Sequence, residues 1–330
     1  MDKILSIIIP AYNVEKYLRK CLSSMEVKEI LDDVEVLVIS DGSTDSTVQI
    51  AMEYVNKYPG TYYLYEKENG GHGSTINYGI RHANGKYFKV VDGDDWLNTP
   101  KLSEYVNMLK NRDEDIIASD YLCIQDVTEK ILDEKYAADD KSQYTKTCYI
   151  SQGQIHNVIK MHSMTIKTVF LKNQGIDIDE HCFYVDAEYI TYPIVQTDSV
   201  YFYNEFIYMY RLGRNGQSMD IKSMQKRRDQ HMHVLESLLR FYENASYPTD
   251  EHKKYVERAI AQIVENQFQI YISMGLKKGI FSEMKKWDKD LQKKYPDVYK
   301  STNKKSITML RKTGYLILPV GAIVYKIVRG

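Results

Sequence analysis

The sequence predicts an α/β fold, a Rossmann-like, mostly parallel sheet flanked by helices, followed by an α-helical C-terminal extension. Three observations predict it. Strand and helix signals alternate over about the first 120 residues, the pattern of a mostly parallel sheet. Short continuous apolar runs there stop at turn residues, as buried strands do. From about Lys222 the text changes to long amphipathic helices.

The run Leu5-Ser6-Ile7-Ile8-Ile9, stopped by Pro10, reads as the first strand. Asn13 is placed to cap a helix whose apolar face carries Val14, Tyr17, Leu18, Cys21 and Leu22. Val34-Glu35-Val36-Leu37-Val38-Ile39 is the second strand, ended by Ser40-Asp41-Gly42. Ser43 or Thr44 then caps a helix with Val48, Met52 and Val55 on one side. Tyr62-Tyr63-Leu64-Tyr65 is the third strand, followed by the glycine-rich loop Asn69-Gly70-Gly71-His72-Gly73 and a helix bearing Ile76, Ile80 and Ala83. Tyr87-Phe88-Lys89-Val90-Val91 is the fourth. Thr99-Pro100 reads as an N-cap with proline at the first helical position, and Ile116-Ile117-Ala118 begins a further strand. Residues 121–150 read as a polar hairpin excursion, and 155–215 as short strands and helices rich in tyrosine.

Composition narrows the function. The chain of 330 residues has 43% apolar and 27% charged residues, ordinary for a globular protein. A net charge of −1 and the lack of any RNP, zinc-finger or basic-region motif argue against a nucleic-acid partner. Cys21, Cys123, Cys148 and Cys182 form no CxxC pair, which argues against structural zinc or a disulfide scaffold. The first residues lack the long apolar region of a signal peptide, so the expected location is the cytoplasm. No apolar run reaches the roughly 18–20 residues that span a bilayer. The nearest, Tyr315 to Tyr325, is flanked by Lys304, Lys305, Arg311, Lys312, Lys326 and Arg329. Such a basic, apolar tail can lie on the inner membrane face as a peripheral contact; it can equally pack in a core or a homodimer.

The acidic cluster Asp92-Gly93-Asp94-Asp95 carries the most chemistry. It follows the fourth strand directly and sets three carboxylates at the sheet's carboxyl edge, where open α/β sheets bind ligands. Gathered carboxylates repel unless a hard cation lies among them, and Mg²⁺ or Mn²⁺ usually brings phosphates. The plainer reading is a loop whose aspartates cap a turn and the next helix. Asp41 ends another parallel strand, so it can share that crevice and accept hydrogen bonds from a base or ribose; alternatively it closes the Asp-Gly-Ser turn. Gly71-His72-Gly73 lacks the third glycine of GxGxxG. The stretch from Gly79 to Lys86 has five residues between its glycines where a P-loop has four. Neither a dinucleotide fold nor a Walker ATPase is supported, though the loop can offer backbone N–H groups to an anion.

Four motifs together resemble the family 2 glycosyltransferases, inverting enzymes of the GT-A fold. They are Ser6-Ile7-Ile8-Ile9-Pro10-Ala11-Tyr12-Asn13, Ile39-Ser40-Asp41-Gly42-Ser43-Thr44-Asp45, Asn69-Gly70-Gly71 and Val91-Asp92-Gly93-Asp94-Asp95-Trp96. The resemblance implies a GT-A catalytic domain over residues 1–220, with a nucleotide-binding half (1–120) and an acceptor-binding half (121–220), and a helical extension over 221–330. It implies that Ala11, Tyr12, Asn13, Asp41, Asn69 and Gly71 meet the nucleotide-sugar. Asp92 would engage the ribose or sugar, and Asp94, with Asp92, the metal, Mn²⁺ or Mg²⁺. Ser40 stands where the family often has a first aspartate, which removes one negative charge.

An inverting transfer needs a carboxylate to take the acceptor hydroxyl's proton. By resemblance that base is Asp186, in Phe183-Tyr184-Val185-Asp186-Ala187-Glu188-Tyr189, with Val185 where the family often has glutamate. Glu188 is a rival, and Asp186 could instead merely cap a helix. Tyr208-Met209-Tyr210-Arg211 and Gln217-Ser218 are similar to the family's Tyr-Arg…Ser segment, which implies that Arg211 holds diphosphate and Ser218 adds a hydrogen bond. An ordinary surface arginine is the plainer alternative. His72, His162 and His181 are candidate acceptor or phosphate contacts, though each reads more simply as a structural or exposed histidine. The implied reaction moves one sugar from a UDP-sugar to a hydroxyl of a lipid-linked or protein-linked glycan acceptor, as in bacterial surface polysaccharide, teichoic-acid or adhesin-glycan synthesis. A metal-dependent nucleotidyltransferase, or a non-catalytic nucleotide- or glycan-binding relative, remains as an alternative.

Overall fold

The computed structural model describes residues 3–318 apart from 174, 215, 276 and 278. The chain forms two compact units, Met1–Asn215 and Gly216–Gly330.

The first unit is built on a 10-stranded sheet among the described residues. Its elements run β1 (Leu5–Ala11), α1 (Glu15–Ser23), β2 (Val34–Asp41), α2 (Thr47–Lys57), β3 (Tyr62–Lys67), α3 (Gly71–His82), β4 (Tyr87–Val90), β5 (Trp96–Leu97), α4 (Thr99–Lys110), β6 (Ile116–Gln125), β7 (Ile131–Lys135), β8 (Thr147–Tyr149), β9 (Met164–Lys167), α5 (Thr168–Asn173), α6 (Asp186–Thr191) and β10 (Ser199–Leu212). Every residue of β1, β2 and β4 is buried, which is why these strands read as unbroken apolar runs.

Strand order is β3-β2-β1-β4-β9-β6-β10-β5, with β7 on β6 and β8 on β10. The expected parallel block is present, since β1 pairs in parallel with β2 and β4, and β2 with β3. The whole sheet is nonetheless mixed. β9 inserts antiparallel between β4 and β6, whereas β6 and β10 are parallel. This pairing joins segments distant in sequence, so local periodicity does not announce it. The expected hairpin excursion corresponds to β6 and β7, which pair antiparallel.

Both expected side-chain caps differ. Neither α1 nor α2 has a side-chain cap bond from its own N-cap residue. The two loops cap each other instead. Asp45 accepts from the N–H groups of Glu15 and Thr47, and Glu15 accepts from the Ser46 N–H. Asn13, in a left-handed conformation (φ 52°), accepts from the Thr44 N–H at 2.8 Å. The loops after β1 and β2 are thereby fixed to each other beside the crevice.

The second unit comprises α7 (Ile221–Lys226), α8 (Arg228–Asn244), α9 (Asp250–Met274), α10 (Ile280–Lys294), α11 (Pro296–Ser301) and α12 (Lys305–Lys312). A buried clasp holds its last helices. Arg311 donates to both oxygens of Asp288 (2.8 and 3.0 Å) and to the carbonyls of Tyr299 and Thr302, and Tyr315 adds a 2.6 Å bond to Asp288. With every partner satisfied, this pair adds specificity rather than an unpaired charge. Among the described residues no helix is long and apolar enough to cross a membrane. Of the apolar tail, Tyr315 and Leu318 are buried, and residues 319–325 lie outside the described residues.

Candidate active site

The acidic cluster stands just beyond β4. Asp92, Asp94 and Asp95 each offer an oxygen, and these atoms lie within 4.8 Å of one another. Gly93 permits the packing, because a Cβ there would come within 2.9 Å of the Pro10 carbonyl in the neighbouring loop. Asp95 is the buried buttress: it accepts from the Tyr208 hydroxyl at 2.6 Å and the Arg211 N–H at 2.7 Å. Asp94 pairs with Arg214, and Asp92 lies 2.8 Å from His72 Nε2.

The electrostatics follow from this crowding. Burial, then repulsion from Asp94 and Asp92, raises the Asp95 carboxyl well above its ordinary value. Burial and Asp92 also raise Asp94. Asp92 goes the other way: burial raises it, but His72, His162 and Arg214 together pull it below its ordinary value. Hard carboxylate oxygens at this spacing, one already carrying the Arg214 cation, suit a hard divalent ion.

Asp41 is buried at the end of β2 and holds the glycine-rich loop. It accepts from the N–H groups of Gly70 and Gly71, both at 2.8 Å, and from Lys67 Nζ at 2.8 Å. Asn69 closes the same loop by donating to the Asp41 carbonyl at 2.8 Å. Asp41 therefore closes a loop 30 residues away rather than the Asp-Gly-Ser turn. Gly71 has φ +85°, a conformation that favours glycine. Ala11 ends β1 and is buried, whereas Tyr12 is 54% exposed at the rim.

Asp186 opens α6, carried there by an arm over residues 177–186 that wraps α3. The arm is pinned by Asn77, which donates to the Ile178 carbonyl at 2.9 Å and accepts from its N–H at 3.0 Å. His181 N–H donates to the Gly70 carbonyl at 2.5 Å. A Cβ at Gly73 would run into the Asp179 carbonyl oxygen, so glycine there lets the arm seat. Asp186 is exposed to solvent. The surrounding protein raises its carboxyl and Asp92 adds repulsion, while His72 and Lys160 oppose.

Glu188, the other acid of this segment, is turned inward. It is fully buried and accepts from the Asp179 N–H at 2.8 Å, bracing the arm, and burial pushes its carboxyl up to about 8. Arg211 is not an ordinary surface arginine. It is 4% exposed, donates to the Asp94 carbonyl at 2.7 Å and to Asp126, and lies over the rings of Tyr17 and Trp96. The guanidinium on the cluster's carboxylate belongs to Arg214, which motif matching passed over; only its place three residues after the Tyr-Arg pair hints at it. His72, set aside in the sequence, joins Asp92 and feels the charge of Asp186. Ser218 lies in the second unit, just before α7.

A parallel block with an acidic cluster at its carboxyl edge, continued by a mixed sheet, is the arrangement of a GT-A glycosyltransferase. The family model for glycosyl transferase family 2 matches residues 6–172, and the chain belongs to that family. It is 31% identical over 207 residues to an uncharacterized glycosyltransferase of Rickettsia typhi, covering 62% of this chain and 62% of that protein. It is 30% identical over 218 residues to the minor teichoic acid biosynthesis protein GgaB of Bacillus subtilis, covering 64% of this chain and 23% of GgaB. The matches thus span less than two thirds of either relative. The fold is similar to S. aureus TarS 1-349, solved with UDP-GlcNAc, at a TM-score of 0.66 and 18% identity over 98% of this chain and 91% of that one.

Proposed function

We propose that the chain transfers a single sugar, with inversion, from a UDP-sugar to a hydroxyl of a bacterial surface glycan, and that Asp186 is the general base. The observation that carries this reading is that Asp186, on the arm, lies near enough to His72 and Asp92 to feel their charge, while His72 is bonded to Asp92 at 2.8 Å. A base must be ionised yet basic, and a carboxyl held above its usual range meets that need better than an ordinary aspartate.

In this reading residues 1–220 are the catalytic domain and 221–330 a helical extension. Tyr12 and Asn13 flank the base from the loop after β1, and Asp41 and Asn69 shape the glycine loop that faces it. Contact of Asp41 with a base would share an oxygen already accepting from the loop. Asp94 and Asp92 would hold Mn²⁺ or Mg²⁺. When bound, the ion neutralises charge on the departing diphosphate. Arg214, not Arg211, is the side chain placed to help hold that diphosphate, and Asp95 keeps the cluster in position. Asp186 removes the acceptor proton as its oxygen attacks the anomeric carbon from the face opposite the nucleotide, which gives inversion. Likeness to proteins whose names and titles speak of teichoic acid and UDP-GlcNAc supports a UDP donor and a surface-glycan product. Family membership removes the support for a nucleotidyltransferase. UDP titration with and without Mn²⁺, on wild type and Asp94→Asn, tests the donor site: binding should be metal-dependent and weakened by the substitution.

A further inference from the structure

Beyond the acidic cluster, on the side away from β1–β3, lies a group of rings with no assigned task. His162, just before β9, sits among Tyr121 of β6 and Tyr208 and Tyr210 of β10, with ring centroids at 4.9, 4.9 and 4.3 Å. Tyr208 is the buried floor, tied to Asp95. Tyr121, His162 and Tyr210 are half-buried, so each keeps some ring surface open. Burial holds the imidazole neutral by pushing it down to about 4, and its Nδ1 is buried without a hydrogen-bond partner. An orphaned buried polar atom in a native fold calls for a partner from solvent or ligand.

Lys89, fully buried in β4, donates to the carbonyls of His162 (2.9 Å) and Met164 (3.3 Å), which fixes the histidine against the strand that leads into the cluster. The Tyr210 hydroxyl end is turned toward the acids. Beyond its burial, the charges of Asp95, Asp92, Asp186 and Asp94 all raise it.

We propose that Tyr121, His162 and Tyr210 form the stacking floor for the acceptor, and that the acceptor residue is a pyranose ring rather than an open-chain polyol phosphate. This rests on reading the site as one of sugar transfer. In that reading the nucleotide lies over β1–β3 and the base Asp186 marks the acceptor side, which is where these rings stand. A pyranose presents a flat face of C–H bonds that complements the electron-rich face of an aromatic ring. A polyol chain has no such face and loses more rotational freedom when held. The ring hydroxyls would meet the Tyr210 hydroxyl.

The test uses the full chain saturated with UDP and Mn²⁺, with ligand-observed saturation-transfer NMR as the readout. Methyl hexopyranosides are compared with ribitol phosphate and glycerol phosphate. The pyranosides should bind through their ring C–H protons and the polyol phosphates should not. Tyr210→Leu should weaken pyranoside binding roughly two- to tenfold with UDP affinity retained, and Tyr121→Leu gives an independent second variant. Polyol phosphates that bind as well as the pyranosides, or pyranoside binding untouched by both variants, would overturn the inference while leaving sugar transfer intact. A protein that bound no UDP would overturn the underlying reading and this inference together.

Discussion

His72 Nε2 stands 2.8 Å from Asp92 Oδ1. That bond joins the glycine-rich loop after β3 to the acidic cluster after β4, two segments that otherwise meet only across the crevice. It fixes one oxygen of Asp92 and leaves the other for a ligand. Groups that orient a metal-site carboxylate typically matter 10–100-fold for affinity or activity. His72→Ala should therefore raise the Mn²⁺ concentration needed for half-maximal UDP binding by roughly that factor, while thermal stability changes little. Equal metal dependence in the two proteins would remove His72 from the site.

Gly73 seats the arm that carries Asp186. A methyl group there meets the Asp179 carbonyl oxygen, which is backbone and cannot swing aside. Gly73→Ala should cost about 1–3 kcal/mol of stability, as overpacked sites do. It should also lower kcat for transfer more than it lowers UDP affinity, because the arm moves and the nucleotide loops do not. A denaturant melt and steady-state kinetics check the two halves separately.

The pH profile reports Asp186. Protein surroundings and Asp92 lift its carboxyl above the usual 3.8. A base works only when ionised, so kcat/KM should climb as pH rises through that raised value and fall below it. The climb should lie at higher pH than an ordinary aspartate gives. Its loss in Asp186→Asn, with only residual activity left, would assign it.

Lys89 is shifted in the opposite direction and leaves its signature in stability. Burial lowers its ammonium from 10.5 to about 7. Between those values the unfolded chain holds a proton that the folded chain lacks, so wild-type stability rises with pH from about 7 to 10.5 relative to a variant without the group. Compared with Lys89→Met, the wild type should gain on the order of 4 kcal/mol across that window. Parallel stability curves for the two proteins would contradict this account of the buried lysine.

Much of the first half was legible because its signals are local. β1, β2 and β4 are buried along their whole length, and their ends carry Asp41 and the Asp92 cluster close to where the runs stop. The rest depends on contacts between distant segments. β9 separates β4 from β6, and nothing in Met164-Thr165-Ile166-Lys167 forecasts an antiparallel partner on both sides. Arg211 carried the motif, but its burial under Tyr17 and Trp96 and the pairing of Arg214 with Asp94 arise from packing. The bracing role of Glu188 also became visible only once the arm was seen wrapped on α3.

The most direct test of the account is UDP release from a panel of UDP-sugars, with and without Mn²⁺, in wild type and Asp186→Asn, with a pyranoside acceptor present. The account predicts metal-dependent release from one donor by the wild type. It predicts a loss of about 10²–10⁴-fold in the variant, the usual contribution of a positioned base, with UDP binding intact. Release by Asp186→Asn at the wild-type rate would contradict it.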